Sequence, residues 1–324
     1  MKAIVRDRYG SPDVLRLEEI EKPTCGENAL LVKVHASSVS ASDWEGLKGA
    51  PLYVRLIGSG LRKPRIKILG SDFAGRVEAV GRNVKQFQPG DDVFGDTMWC
   101  GASTFAEYVA VPENAPLARK PTSMSFEEAA TLPQAAVIAL QGIRDKGQVQ
   151  PGQRVLIVGA GGGGGTFAVQ LAKRLGAEVT GVDNTEKLDV MRSVGADHVI
   201  DYTQEDFAQN AQHYDLILDL AAHRSIFDCK RALRPGGTYL MVGGSMTRLV
   251  QVLTLGPLIS MTGSKKMGLL AVRTSQEALA AVVQEFEAEK IVPVIDKRYA
   301  LSEVPEAIRY LGEGHARGKV VITI

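Results

Sequence analysis

Cysteine is scarce in this chain: Cys25, Cys100 and Cys229 are the three in 324 residues. So few thiols, so widely spaced, exclude a disulfide framework or a cysteine-rich zinc knuckle, and a reducing cytoplasm is the expected compartment. An excess of charge of either sign is also lacking, because 38 Lys and Arg stand against 37 Asp and Glu for a formal net charge of +1. Such a balance supplies no broad field for nucleic acid or an anionic membrane, and neither is expected as a partner. No run reaches the ~18 uninterrupted apolar residues of a membrane span. The opening Met1-Lys-Ala-Ile-Val-Arg-Asp-Arg reads without the apolar core of a signal segment. Internal repeats and low-complexity linkers are absent, and the length suggests about two domains.

Glycine, by contrast, is plentiful, and five of the 34 are consecutive from Gly161 to Gly165. The run Val-Leu-Ile-Val at 155–158 precedes them and suits a short strand buried on both faces. After the turn at Ala160, the residues Gly162, Gly163, Gly164 and Gly165 permit tight bending, close approach of backbone to a pyrophosphate, and close packing of helix on strand. A helix expected over 166–175 would aim its first amides at the phosphates. A second strand over 178–182 ends at Asp183, about 20 residues past the glycines, where a carboxylate accepts ribose hydroxyls. Strand, glycine turn, helix, strand and acid in this register read as a dinucleotide site.

Residues 1 to about 120 alternate between short strands and turns, so this part is expected to be mostly β. A helical stretch follows over 127–145, with Ser125 as its cap and a bend at Pro133. From there strands near Val155, Glu178, His198, Asp215, Thr238 and Met267 alternate with helices, which predicts a six-stranded, doubly wound parallel sheet of Rossmann type. A helix over 274–290 and the segment 299–324 have no place in that sheet and are expected to rejoin the first domain. The expected division is a catalytic domain of 1–124 with 273–324, and a dinucleotide-binding domain of 125–272.

Four further segments complete a family pattern: Met1-Lys-Ala-Ile-Val with Tyr9-Gly-Ser-Pro-Asp-Val-Leu; Leu69-Gly-Ser-Asp-Phe-Ala-Gly-Arg-Val-Glu-Ala-Val-Gly; Val149-Gln-Pro-Gly-Gln-Arg-Val-Leu-Ile; and Leu301-Ser-Glu-Val-Pro-Glu-Ala with Gly314-His-Ala-Arg-Gly-Lys-Val-Val-Ile. Over essentially its whole length the chain resembles the medium-chain dehydrogenase/reductase superfamily, in its zinc-independent, quinone oxidoreductase-like branch. The resemblance implies an α/β Rossmann domain beside a mainly β, GroES-like catalytic domain. It also implies a homodimer formed near residues 267–272. Zinc-dependent relatives carry a Cys where this chain has Ser40 and a His-Glu pair where it has Ser71-Asp72. A hydroxyl is a poor zinc ligand, and the four-cysteine lobe is missing, so no metal is expected. Without that Lewis acid, oxidation of an alcohol is harder than reduction of a quinone or an α,β-unsaturated carbonyl, whose own carbonyl delocalises the developing charge.

The cofactor reading is divided. Asp183 favours NAD(H), since its charge opposes a 2′-phosphate; Lys187 and Tyr202 match positions that contact that phosphate in relatives, and the resemblance favours NADP(H). Lys187 reads equally as an exposed helix lysine and Tyr202 as an adenine-packing ring. Val242, Gly243 and Gly244, at the end of a strand, are the expected floor for the nicotinamide. For chemistry on the substrate, the candidates are Ser40, in place of the family's Asn, and Tyr53, near where some relatives keep a donor tyrosine. Asp43 is expected to bond turn amides rather than act as an acid. The basic stretch 52–68 reads as a solvated face or as a lid over an apolar substrate. Three functions fit: an NAD(P)H-dependent reductase of quinones or enones acting on a small molecule, a zinc-free alcohol or aldehyde dehydrogenase, and a non-catalytic nucleotide-binding redox sensor.

Overall fold

The computed structural model describes residues 1–56, 60–209, 213–288 and 291–324, with all of their side chains except that of Tyr53. Two compact units emerge, one of Met1–Gln134, Thr274–Glu287 and Ile295–Ile324, the other of Ala135–Arg273 with Ala288–Val294.

The first unit is mainly β. A short antiparallel pair, β1 (Lys2–Val5) with β2 (Arg16–Glu19), lies beside a larger sheet. That sheet contains β3 (Ala29–Val39), β4 (Asp72–Val80), β5 (Asp92–Asp96), β6 (Tyr108–Pro112) and β7 (Leu117–Arg119). Two strands from the end of the chain, β14 (Ile295–Ala300) and β15 (Lys319–Thr323), join it in the order β14-β15-β3-β4-β5-β7. Strand β3 is long enough to serve two partners in succession, pairing β6 through Ala29 to Lys33 and β15 through Ala36 to Val39. Its inward residues Leu30, Val32 and Val34 pack with Phe73, Val77, Val93 and Val111 in an apolar cluster. The register places Ser38 opposite Asp72, Asp72 opposite Asp96, and Val39 opposite Val320. Ser40 and Lys319 flank that last pair, so polar residues of four strands converge at one end of the sheet.

The second unit is the expected doubly wound sheet. Strands β8 (Arg154–Val158), β9 (Glu178–Asp183), β10 (His198–Asp201), β11 (Tyr214–Asp219), β12 (Leu233–Met241) and β13 (Lys266–Leu269) are all parallel, in the order β10-β9-β8-β11-β12-β13. Val155, Leu156, Ile157, Leu216, Ile217 and Leu218 are fully buried, as a strand covered on both faces requires. The strand order reverses between β8 and β11, which puts the ligand crevice of such sheets at their carboxyl ends.

The stretch expected as one bent helix is divided into Phe126–Thr131, Ala135–Leu140 and a wider-wound turn at Gln141–Lys146. Pro133, which has no backbone N–H to give, stands in the gap. Ser125 does cap the first piece: its Oγ accepts from the Glu128 amide at 3.1 Å, and the Glu128 carboxylate accepts from the Ser125 amide at 2.8 Å. No helix among the described residues is long and apolar enough to cross a membrane.

Candidate functional site

The dinucleotide cradle begins where β8 ends. Gly159, at φ +81°, turns the chain back so that its amide and that of Ala160 both donate to the Val182 carbonyl, at 2.9 and 3.2 Å. The helix that follows runs Gly163–Arg174 with Gly162 as its cap, so it starts three residues earlier than expected. Glycine's poor helix propensity is overridden here by packing. A Cβ at Gly165 would lie 2.2 Å from the Gly159 carbonyl oxygen, and one at Gly161 would lie 2.5 Å from the Lys187 Cβ. These two glycines are demanded by the protein itself. Gly162 and Gly164 are not, because an added Cβ would meet no protein atom nearer than 3.5 and 3.7 Å respectively. The free amides of the helix's first turn, beside this unfilled room, fit a dinucleotide pyrophosphate.

Asp183 closes the cradle. One carboxylate oxygen accepts from the Gly161 amide at 3.0 Å, the other from the Asn184 amide at 2.9 Å. Lys187 is neither an exposed helix lysine nor free for a phosphate: it is almost wholly buried, with its ammonium 3.5 Å from the Asp183 carboxylate. Tyr202 stands half exposed, its amide donating to the Asp183 carbonyl at 3.1 Å. On the far side of the reversal, Val242 donates to the Asp219 carbonyl at 2.8 Å and the Gly243 carbonyl accepts from Ala222 at 2.9 Å. Gly244, at φ +142°, lies so close to Ala222 that a Cβ would sit 2.6 Å from its carbonyl oxygen. His223 faces solvent.

Asp219, at the end of β11, has no cationic partner among the described residues. Its carboxylate accepts from the Tyr239 hydroxyl at 3.0 Å and the Ala221 amide at 3.3 Å, and burial pushes it up to about 6. Burial likewise pushes the Tyr239 hydroxyl and the Cys229 thiol up.

In the first unit, the converging strands build a buried ionic cluster. Lys319 Nζ donates to Asp72 Oδ2 at 3.3 Å and to Ser40 Oγ at 3.2 Å. Ser38 Oγ and Ser40 Oγ donate to that same Asp72 oxygen, both at 3.2 Å, while Asp72 Oδ1 is buried without a hydrogen-bond partner among the described residues. Asp43 bonds turn amides as expected, accepting from Ser40 N at 2.9 Å and Gly70 N at 3.0 Å, and burial pushes it up to about 6. Asp72 and Asp96 are pushed up by burial as well, with Lys319 opposing the shift in both. The side chain of Tyr53, the other expected donor, lies outside the described residues. Lys319 and Asp72 were not singled out for chemistry from the sequence, yet a signal was there: a lysine inside the apolar strand Lys-Val-Val-Ile-Thr has to find a partner.

The residues at the place of the family's zinc ligands do not suit that metal. Ser40 offers a hydroxyl, Ser71 uses its carbonyl to accept from the Thr97 amide at 2.9 Å, and Asp72 already holds an ammonium. Among the described residues no set of three His, Cys, Asp or Glu is grouped to hold a metal ion.

Three stretches of the chain match known families: residues 26–122 the alcohol dehydrogenase GroES-like domain, 127–222 the C-terminal domain of alanine dehydrogenase/PNT, and 194–322 the zinc-binding dehydrogenase domain. A mitochondrial NAD(P)H oxidoreductase of Mus musculus is 32% identical, over 100% of this chain and 89% of its own. The chloroplastic NADPH-dependent alkenal/one oxidoreductase of Arabidopsis thaliana is 32% identical over 99% of this chain and 79% of its own. Among solved structures, the quinone oxidoreductase from Coxiella burnetii superposes with a TM-score of 0.87 at 28% identity, covering 100% of this chain and 99% of that one.

Proposed function

Because the chain belongs to the medium-chain dehydrogenase/reductase superfamily, in its quinone oxidoreductase-like branch, and is an NAD(P)H-dependent oxidoreductase, we propose that it reduces a quinone or an α,β-unsaturated carbonyl without zinc. One observation carries the reading: where zinc-dependent relatives keep thiolate and imidazole ligands, this chain keeps hydroxyls and a carboxylate neutralised by Lys319. That set can donate hydrogen bonds to a developing oxyanion but cannot act as a Lewis acid toward an alcohol. The reduced nicotinamide supplies the hydride. The chain holds it through the amides of Gly162, Gly163 and Gly164, through Asp183 and Tyr202 at the ribose end, and through Val242, Gly243 and Gly244 at the ring. Ser40 is the donor we assign to the substrate.

NADP(H) is the preferred dinucleotide in this reading. Lys187 compensates the charge of Asp183, so the acid repels a 2′-phosphate less than a free carboxylate would. A homodimer is part of the proposal, supported by the edge position of β13 and by the exposed Val250, Leu253, Leu258 and Met261 on the helix Met246–Thr262. The unpaired thiols of Cys25, Cys100 and Cys229 support a reducing, cytoplasmic setting.

The test is oxidation of NADPH and, separately, NADH by the purified, metal-analysed protein, with 1,4-benzoquinone and 2-hexenal as acceptors. Zinc-free turnover of either acceptor is expected. Stoichiometric zinc, or oxidation of alcohols in place of reduction of both acceptors, would overturn the reading.

A further inference from the structure

We infer that Lys319, fixed on Asp72, is the positioning cation that makes Ser40 a competent proton donor; the inference rests on the reduction proposed above. Five buried residues, Ser38, Asp43, Asp72, Asp96 and Lys319, surround this end of the sheet, and Ser40 alone in the cluster is partly exposed. It is therefore the atom through which the buried charge can reach a ligand. A serine hydroxyl is by itself a weak acid. Here, however, its proton rests on Asp72 Oδ2 at 3.2 Å and has to turn from there to a bound substrate, while its oxygen accepts from Lys319 Nζ at 3.2 Å, so that ammonium stabilises the oxygen as the proton leaves and can replace it. The lysine cannot swing away, because its other bond is the 3.3 Å contact with Asp72, whose same oxygen also holds Ser38. Three donors, Lys319, Ser38 and Ser40, crowd onto Oδ2 while Oδ1 has no partner among the described residues, so Ser40 can turn its proton away and leave the ammonium still held on Asp72.

The β-carbon of an enal takes the hydride and its two electrons, the C=C pair becomes the double bond between the α-carbon and the carbonyl carbon, and the C=O π pair moves onto the oxygen. That oxygen takes the proton of Ser40 Oγ, and Ser40 takes one from Lys319 Nζ. After the product enol leaves and tautomerises, a proton from water returns to Lys319 through Ser40. One hydride and one proton have been added, and the dinucleotide has been oxidised by two electrons.

Four variants test this with NADPH and 2-hexenal. In Ser40→Ala, kcat should fall on the order of a hundredfold with little change in KM, and Ser40→Thr, which keeps the hydroxyl, should restore most of it. Lys319→Arg keeps the charge on Asp72 but carries a guanidinium that does not give up its proton, so kcat should fall nearly as far. The neutral pair Asp72→Asn/Lys319→Met, which leaves no lone buried charge, should match Ser40→Ala. A second readout does not depend on turnover. Bound with NADP+, 4-nitrophenol should show a shifted phenolate absorption band in the wild type and in Lys319→Arg, and lose that shift in Ser40→Ala. Wild-type kcat in Ser40→Ala or in Lys319→Arg would overturn the inference. So would an unchanged phenolate band in Ser40→Ala. If the wild type itself oxidises no NAD(P)H with either acceptor, the underlying reduction fails and the inference falls with it; wild-type turnover with unaffected variants removes only the inference.

Discussion

Asp219→Asn should make the second unit more stable at neutral pH and leave it nearly unchanged at acid pH. The carboxyl is buried, has two hydrogen-bond donors and no cation among the described residues, and its pKa is raised from 3.8 to about 6 by burial. A raised folded-state value means that between these two pH values the folded chain holds a proton that the unfolded chain has lost. Its contribution is therefore full below pH 3.8, is lost as the pH rises toward 6, and is flat above that. At about 1.4 kcal/mol per unit, the loss is about 3 kcal/mol, of which about 2 kcal/mol falls between pH 4.5 and 7.5. Asparagine copies the protonated form: its oxygen can still accept from the Ala221 amide, and its NH2 can donate to the Tyr239 oxygen. Burial pushes Tyr239 and Cys229 upward, so neither titrates in this interval. Urea unfolding followed by far-UV circular dichroism suits the experiment, because both tryptophans, Trp44 and Trp99, lie in the other unit. The difference in unfolding free energy between variant and wild type should move by about 2 kcal/mol in favour of the variant from pH 4.5 to 7.5. A difference that does not change with pH would refute the claim that Asp219 is a buried carboxyl with an elevated pKa.

The glycine turn separates packing from binding. Gly164→Ala should raise the melting temperature of the apo protein slightly, since alanine is worth ~0.5–1 kcal/mol over glycine inside a helix, yet weaken dinucleotide binding at least tenfold, as read by quenching or enhancement of cofactor fluorescence. Gly165→Ala should instead unfold the turn, because its Cβ would sit 2.2 Å from the Gly159 oxygen, and overpacking of this kind costs ~1–3 kcal/mol; a lowered melting temperature checks it. Lys187→Ala should lower the NADPH to NADH ratio of kcat/KM by about tenfold, equivalent to about 1.4 kcal/mol, by leaving the Asp183 charge uncompensated; an unchanged ratio would show that the lysine only packs.

What could be read from the sequence follows from how local the determining forces are. The doubly wound sheet was legible because its central strands β8 and β11 carry the apolar runs 155–158 and 216–218, and the parallel order follows from alternation with helices. The start of the helix at Gly163 was not legible, since propensity argues against three glycines in a first turn, and the close approach of Gly165 to Gly159, which demands the last of them, is a tertiary contact. The burial of Lys187 was not legible for a related reason: the family resemblance brings it to the ribose end, but its burial depends on Gly161 leaving room for its stem, a contact across 26 positions of chain. The ionic cluster lay furthest from local reading. Ser40, Asp72, Asp96 and Lys319 come from four separate segments and meet only through the register of β15 on β3, β3 on β4 and β4 on β5. Each looks unremarkable alone, as a serine before a helix, an acid after a glycine, or a lysine opening a strand. The cost of burying a charge ties them together: once Lys319 enters an apolar strand it requires Asp72, and once the pair is formed the neighbouring Ser40 is polarised by it. The zinc-free reduction proposed above is thus expected to depend on Lys319, more than 270 positions of chain from Ser40, to which it donates.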